Sequence, residues 1–191
     1  MHSKNDLRIS CSKHRLDLVR DVPDFAQRIA SFADDLTTAP HAIVSFYWPM
    51  GDEADPRMLM AALAARGHAL ALPRVEKKNA PLVFHRWSES EELITHKFGM
   101  SEPHVDREIV VPDVVLTPLL AFDADGYRLG YGGGFYDRTL EALRKIKSIT
   151  AIGIAYAGQE VGRLPHETHD HQLDAVMTEL GIKYFHSGDK S

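Results

Sequence analysis

The sequence predicts an α/β domain of three layers, a mostly parallel sheet flanked by helices, and three observations point there. Short apolar runs suited to buried strands alternate along the chain with segments whose apolar residues recur at helical spacing. A length of 191 residues is enough for one core without metal or disulfide staples. Composition is that of an ordinary folded domain, with 44% hydrophobic and 26% charged residues. Residues 1–185 are expected to form a single domain in which residues 1–37 are a helical segment packed on the core, with residues 186–191 as a polar tail.

Each element has a local reason. Leu7, Cys11 and Leu18 share a helical stripe, and Phe25, Ile29, Phe32 and Leu36 form a cleaner one after Pro23, so two helices open the chain. Residues 42–47 read as a buried strand. Asp55 then offers an N-cap and Pro56 a first helical residue before Leu59 and Leu63, and Gly67 ends that helix. Strands are expected at residues 69–75, 82–87 and 114–120, with a turn at 123–126. Tyr136, Leu140, Leu143 and Lys147 mark one face of a later helix, with Ile146 adjoining it. Strands at 150–156 and 174–178 and a closing run at 180–185 complete the core.

A balance of 22 basic against 27 acidic residues argues against a general grip on nucleic acid or an anionic membrane. An anionic ligand must therefore meet a local basic site. Cys11 is the only cysteine, which excludes an intramolecular disulfide and suits a reducing compartment. Charges run through residues 1–20, and no apolar stretch approaches ~20 residues. The expectation is a cytoplasmic monomer or weak homo-oligomer without signal peptide or anchor.

The most informative segment is Arg128-Leu129-Gly130-Tyr131-Gly132-Gly133-Gly134-Phe135-Tyr136-Asp137-Arg138, between a strand and a helix. Its four glycines permit positive φ and remove side chains that would keep a phosphate from backbone N–H groups and the helix N-terminus. A tight strand-to-helix turn is the plain alternative. A Walker loop would need a lysine here, and none occurs before Lys145. A dinucleotide fingerprint from Gly130 would need glycine at Phe135 and an acid roughly 20 residues on, where residues 149–156 contain none.

Leu119-Leu120-Ala121-Phe122-Asp123, Gly126-Tyr127-Arg128-Leu129-Gly130 and Gly132-Gly133-Gly134-Phe135-Tyr136-Asp137 together resemble the signature of the 5-formyltetrahydrofolate cyclo-ligase family. That resemblance implies ATP-dependent conversion of 5-formyltetrahydrofolate to 5,10-methenyltetrahydrofolate with a divalent metal, Mg2+, and release of ADP and phosphate. It assigns Gly130, Tyr131, Gly132, Gly133, Gly134, Phe135 and Tyr136 to ATP, and makes Tyr136 and Arg128 the catalytic candidates. Some family members carry lysine in mid-loop where this chain has Gly133.

The likeness extends outward from the loop. Lys4, Leu7, Arg8 and Arg15 are similar to the family's N-terminal basic motif for ATP phosphates, and their intervals place the three cations near one helical face. A solvated helix face is the alternative. Trp48 and Glu53 follow the first core strand, where α/β sheets place ligands. The acid matching Glu53 binds the folate in the family, and a carboxylate suits the amino and N–H edge of a pterin; Asp52 reads as a surface acid. Phe98 resembles a folate-lining aromatic. Trp48, Glu53, Phe98 and Tyr136 are thus the substrate candidates, with ordinary core packing open for both Trp48 and Phe98. Near the chain's end, the resemblance pairs Asp174 with Asp137 around magnesium, a metal that prefers hard oxygen ligands. His166, His169 and His171 lack the spacing of a zinc set.

Two rival functions remain at this stage. One is a folate- or nucleotide-binding protein without turnover. The other is a sugar-phosphate isomerase or acyl-CoA transferase on a similar α/β sheet.

Overall fold

Ser3 opens the first helix, α1 (Lys4–Asp21), through a capping box: its hydroxyl accepts the Asp6 N–H and its own N–H returns to the Asp6 carboxylate. In the computed structural model, which describes residues 3–36, 39–95 and 100–185, a short second helix α2 (Phe25–Ser31) follows beyond Pro23. The chain then runs β1 (Ile43–Ser45), α3 (Arg57–Ala65), β2 (Ala69–Arg74), β3 (Val83–Trp87), β4 (Ile94–Thr95) and β5 (Ser101–Glu102). Next come β6 (Val114–Pro118), β7 (Ala121–Phe122), β8 (Arg128–Leu129), α4 (Phe135–Ile146), β9 (Thr150–Ile154), β10 (Ala175–Thr178) and β11 (Gly181–Tyr184).

Seven strands form the main sheet in the order β11-β10-β9-β6-β1-β2-β3. The five inner strands are parallel and both edges are antiparallel. Side-chain alternation sets the layers. Val44, Leu70, Leu72, Val114, Leu116, Ile152 and Ile154 face Phe25 and Ile29 of α2 and Leu59 and Leu63 of α3. The intervening Ala71, Val115 and Ala151 face the opposite side, where Leu140 and Leu143 of α4 cover them. Three layers result, as the alternation of elements predicts.

Some boundaries differ from expectation. The α3 helix begins at Arg57 rather than Pro56, with Asp55 accepting the Arg57 N–H at 2.9 Å. Gly67 does end it, at φ +85 with N–H bonds from Gly67 to Ala64 and from His68 to Leu63. Ile146, the last residue of α4, is exposed. The glycine loop follows not a core strand but the β7–β8 hairpin, which residues 123–126 close with Gly126 at φ +84. In that turn Asp123, 1% exposed, accepts the N–H groups of Asp125, Tyr127 and Leu164. A buried carboxylate with three donors pins the hairpin that carries the loop.

Candidate active site

A cavity of about 650 Å³ opens over the carboxyl edge of the sheet. Pro118 at the end of β6, Tyr47 and Trp48 just beyond β1, and Pro73 and Val75 around the end of β2 line it. This is the edge at which parallel α/β sheets present ligand sites. The whole segment from Arg128 to Arg138 forms one wall.

Within that wall Gly132 and Gly134 have φ of +95 and +62, values that L side chains rarely adopt. Gly134 is the N-cap of α4 and supplies no side-chain acceptor, so the first N–H groups of a 12-residue helix face the cavity rim without a side-chain cap. A Cβ at Gly134 would stand 2.8 Å from the Arg138 guanidinium, and one at Gly132 3.1 Å from that of Arg8. Bare backbone thus brings two cations against an open turn.

The expected cations take different places. Lys4 lines the cavity and binds Glu167 at 3.2 Å and Asp170 at 2.8 Å, strapping α1 to the segment before β10. Arg8 lines it too, donating from Nε to the Gly130 carbonyl at 2.9 Å and from Nη1 to Asn5 at 2.7 Å. Arg15 does not line it, which corrects the reading of three phosphate-facing cations. Its guanidinium, 2% exposed, makes two 2.9 Å bonds to Asp52 and lies 5.5 Å from the Tyr131 ring centre. Asp52 is therefore no free surface acid, and the Arg15 guanidinium holds its carboxyl below the usual range.

Glu53 is 7% exposed and lines the cavity, accepting the Met50 N–H at 2.9 Å. Burial pushes its carboxyl up, while the Met50 N–H, Tyr131 and Arg15 pull the other way. Tyr136 lines the same space, and burial followed by the Glu53 charge raises its phenol well above the ordinary value. It is a neutral hydroxyl donor at any physiological pH. Trp48 lines the cavity as well, stacked edge-on against Trp87 at 5.8 Å and under the Arg57 guanidinium at 5.4 Å. Phe98 lies outside the described residues.

The two acids expected to share a metal are not brought together. Asp137, in the first turn of α4, lines the cavity; its Oδ1 accepts from Arg128 at 2.7 Å and from the His171 N–H at 3.2 Å. Asp174 stands at the opposite, strand-start end of the sheet. There its carboxylate accepts the Ala151 N–H at 2.7 Å and Arg144 at 3.0 Å, and it does not line the cavity. Arg144 sits seven residues beyond Asp137 on α4, so at 1.5 Å rise per residue the acids contact positions about 10 Å apart along the helix. Asp174 is spent on an orphan strand N–H away from the cavity, so the expected pairing of Asp137 with Asp174 is corrected: the fold does not bring the two acids together. Arg128, with 4% side-chain exposure, reaches both Asp137 and the His171 carbonyl and so ties the loop to the segment before β10.

The histidines near the chain's end are separated by use. His166 stacks on Tyr127 at 3.8 Å, His169 lines the cavity rim, and His171 offers its backbone to Arg128 and Asp137.

Sequence reasoning missed four contributors. Tyr47 lines the cavity and donates its hydroxyl to the Ala54 carbonyl. Asp52 holds Arg15, and Glu102, 3% exposed, lines the cavity while accepting the Val75 N–H at 3.0 Å. Arg138 lines it from the first turn of α4. For Arg138 a signal existed, since one helical turn past Gly134 returns a long side chain over the loop; Asp52 and Glu102 depend on partners 37 and 27 residues away.

The sequence pattern of the 5-formyltetrahydrofolate cyclo-ligase family matches residues 4–179. A 5-formyltetrahydrofolate cyclo-ligase of Escherichia coli (strain K12) is 37% identical over 140 residues, spanning 71% of this chain and 76% of the relative. One from Mycolicibacterium smegmatis is 29% identical over 189 residues, spanning 92% and 93%. Among solved structures, Aquifex aeolicus 5,10-methenyltetrahydrofolate synthetase superposes with a TM-score of 0.80 at 29% identity, covering 98% of this chain and 95% of its own. The Mycoplasma pneumoniae synthetase gives 0.72 at 25% identity, covering 93% and 99%. With the glycine loop, the N-terminal cations and Glu53 all inside the matched span, the chain belongs to the 5-formyltetrahydrofolate cyclo-ligase family.

Proposed function

We propose that this protein closes the imidazoline ring of 5-formyltetrahydrofolate, giving 5,10-methenyltetrahydrofolate at the expense of ATP and releasing ADP and phosphate. One observation carries the reading: a single cavity joins a bare glycine turn and uncapped helix N-terminus to a buried carboxylate, Glu53, flanked by Trp48 and Tyr136. The first half suits a polyphosphate and the second a flat heterocycle with N–H donors.

In this reading the backbone of residues 130–134, Lys4 and Arg8 hold the triphosphate, with Phe135 and Tyr131 framing it. Glu53 accepts from the pterin edge, and Trp48 walls the ring. The formyl oxygen on N5 attacks the γ-phosphorus as the bond to the β–γ bridging oxygen breaks and ADP leaves with the electron pair; this activation is needed because an amide oxygen leaves poorly until it carries a phosphoryl group. N10 then attacks the activated carbon and loses its proton, and the C–O bond breaks with phosphate taking the electron pair. The protein's part is alignment and neutralisation of charge, as phosphoryl transfer demands. The neutral Tyr136 hydroxyl donates to the formyl or phosphoryl oxygen, and Arg128 holds Asp137 in place.

Magnesium fits this site only in partnership with phosphate. No group of three or more His, Cys, Asp or Glu side chains among the described residues could cage an ion. Asp137 presents one carboxylate to the cavity, and its Oδ2 has no hydrogen-bond partner among the described residues. One or two carboxylates plus nucleotide oxygens is the usual magnesium arrangement. Bound there, the ion would neutralise charge building on the β- and γ-phosphates. A cytoplasmic monomer or weak oligomer completes the proposal; no helix among the described residues is long and apolar enough to cross a membrane.

The test follows absorbance of the methenyl product while ATP is added to protein and 5-formyltetrahydrofolate. Growth requiring both ATP and magnesium is the expected outcome. Binding of both ligands with no product would identify a non-catalytic relative instead.

A further inference from the structure

Of the cations around the glycine turn, most already face a carboxylate. Lys4 faces Glu167 and Asp170, Arg15 faces Asp52, and Arg128 faces Asp137. Two arginines against the turn have no carboxylate partner among the described residues. Arg8 reaches the Gly130 carbonyl from α1. Arg138 reaches the Gly133 carbonyl from α4, at 2.6 Å through Nη2.

Arg138 is held where an incoming anion would meet it. Its guanidinium lies 5.3 Å from the centre of the Phe135 ring, and its Nη1 takes up the space that a Cβ on Gly134 would need. Its Nε is buried without a hydrogen-bond partner, and the side chain lines the cavity. Glu141, the acid one turn further along α4, is occupied by Lys145 at 2.6 Å. A guanidinium with an unused donor, no counter-charge and a fixed position is half of a charge-assisted hydrogen bond. Gly133 matters here too: Arg138 lies over the residue whose side chain would otherwise point a cation at the loop.

We infer that Arg138 is a third triphosphate-binding cation of this site, acting with Lys4 and Arg8 in the place that Arg15 leaves vacant and supplying from α4 the charge that Gly133 does not. The inference rests on the proposed ATP-dependent ring closure. Arg138 and Arg8 would grip the β- and γ-phosphates from two helices, fixing the γ-phosphorus for in-line attack. The pterin half of the cavity makes no demand on Arg138.

Steady-state formation of the methenyl product, with each substrate varied at saturation of the other, tests this in four proteins: wild type, Arg138→Ala, Arg138→Lys, and Arg138→Ala combined with Gly133→Lys. Arg138→Ala should raise KM for ATP about tenfold, the scale of one lost charge-assisted contact, and leave KM for 5-formyltetrahydrofolate unchanged. Arg138→Lys should recover most of that loss. Lysine at 133 should recover part of it, since φ there is ordinary and a Cβ meets only the movable Phe135 ring at 3.0 Å. Loss of the Gly133 carbonyl contact alone would lower the melting temperature without a selective change in KM for ATP. An unchanged KM for ATP, equal rises for both substrates, or no rescue by either lysine would overturn the inference while leaving ring closure intact. A wild type that forms no methenyl product would overturn the reading beneath it.

Discussion

The two ends of the parallel sheet use their acidic residues in opposite ways. At the strand-start end, Asp113 accepts the Ile43 N–H and pairs with Lys147, and Asp174 accepts the Ala151 N–H and pairs with Arg144. Both complete hydrogen bonds that the first residue of β1 and the second of β9 would otherwise lack, and both anchor the end of α4 or the residue after it. At the strand-finish end, Glu53 is buried with one backbone donor, and Asp137 keeps an oxygen free beside an open cavity. The lesson is that an acid's company decides its role: the first pair is saturated and structural, while the second retains capacity for a ligand.

The sharpest way to break that comparison lies with Arg15, an apparent ligand that is saturated. Arg15→Ala should destabilise the fold by about 3–5 kcal/mol, read from urea denaturation, because it strands Asp52 and opens a hole beside Tyr131. KM for ATP in the folded fraction should change little; a large selective rise would return Arg15 to the phosphate site.

Next in size is Asp137→Asn, which keeps the shape and loses the charge. Product formation should fall about 100-fold, equivalent to about 2.7 kcal/mol of transition-state stabilisation. Turnover close to wild type, and an unchanged magnesium requirement, would remove Asp137 from metal binding.

Asp174→Ala should do the reverse, costing about 1–2 kcal/mol of stability for its lost backbone and arginine bonds while kcat per folded molecule holds. If kcat collapses in protein of normal melting temperature, the two ends are not as distinct as their geometry implies.

The smallest effect concerns pH. A carboxyl whose folded value is raised, as burial does to Glu53, holds its proton more tightly in the fold, so its own contribution favours the empty protein at acid pH and fades as pH rises through that value. Pterin donors need the carboxylate, so KM for 5-formyltetrahydrofolate should fall roughly tenfold as pH rises through the same window. Glu53→Gln should flatten this dependence; an identical pH profile in that variant would point to another group.

Much of the architecture is legible in the sequence, for reasons tied to particular residues. The alternation of Val114, Val115 and Leu116 marks a strand buried on both faces, and Gly67 could only close α3. Gly132 and Gly134 announce an open turn because glycine takes positive φ without the strain other residues meet there, and Glu53 follows a buried strand at the edge where ligands sit. Arg15 and Asp174 were misread because spacing on a helix, or likeness to a motif, says nothing of which charge waits across the fold. Asp52 and Arg15 are 37 residues apart, and Asp174 and Arg144 are 30.

The linear chain thus determined its layers, its turn and the chemistry gathered around that turn, because periodicity and glycine act within a few residues. Only the tertiary structure decided which charges are satisfied and which remain free. Desolvation and pairing are set by whatever another segment brings within about 3 Å.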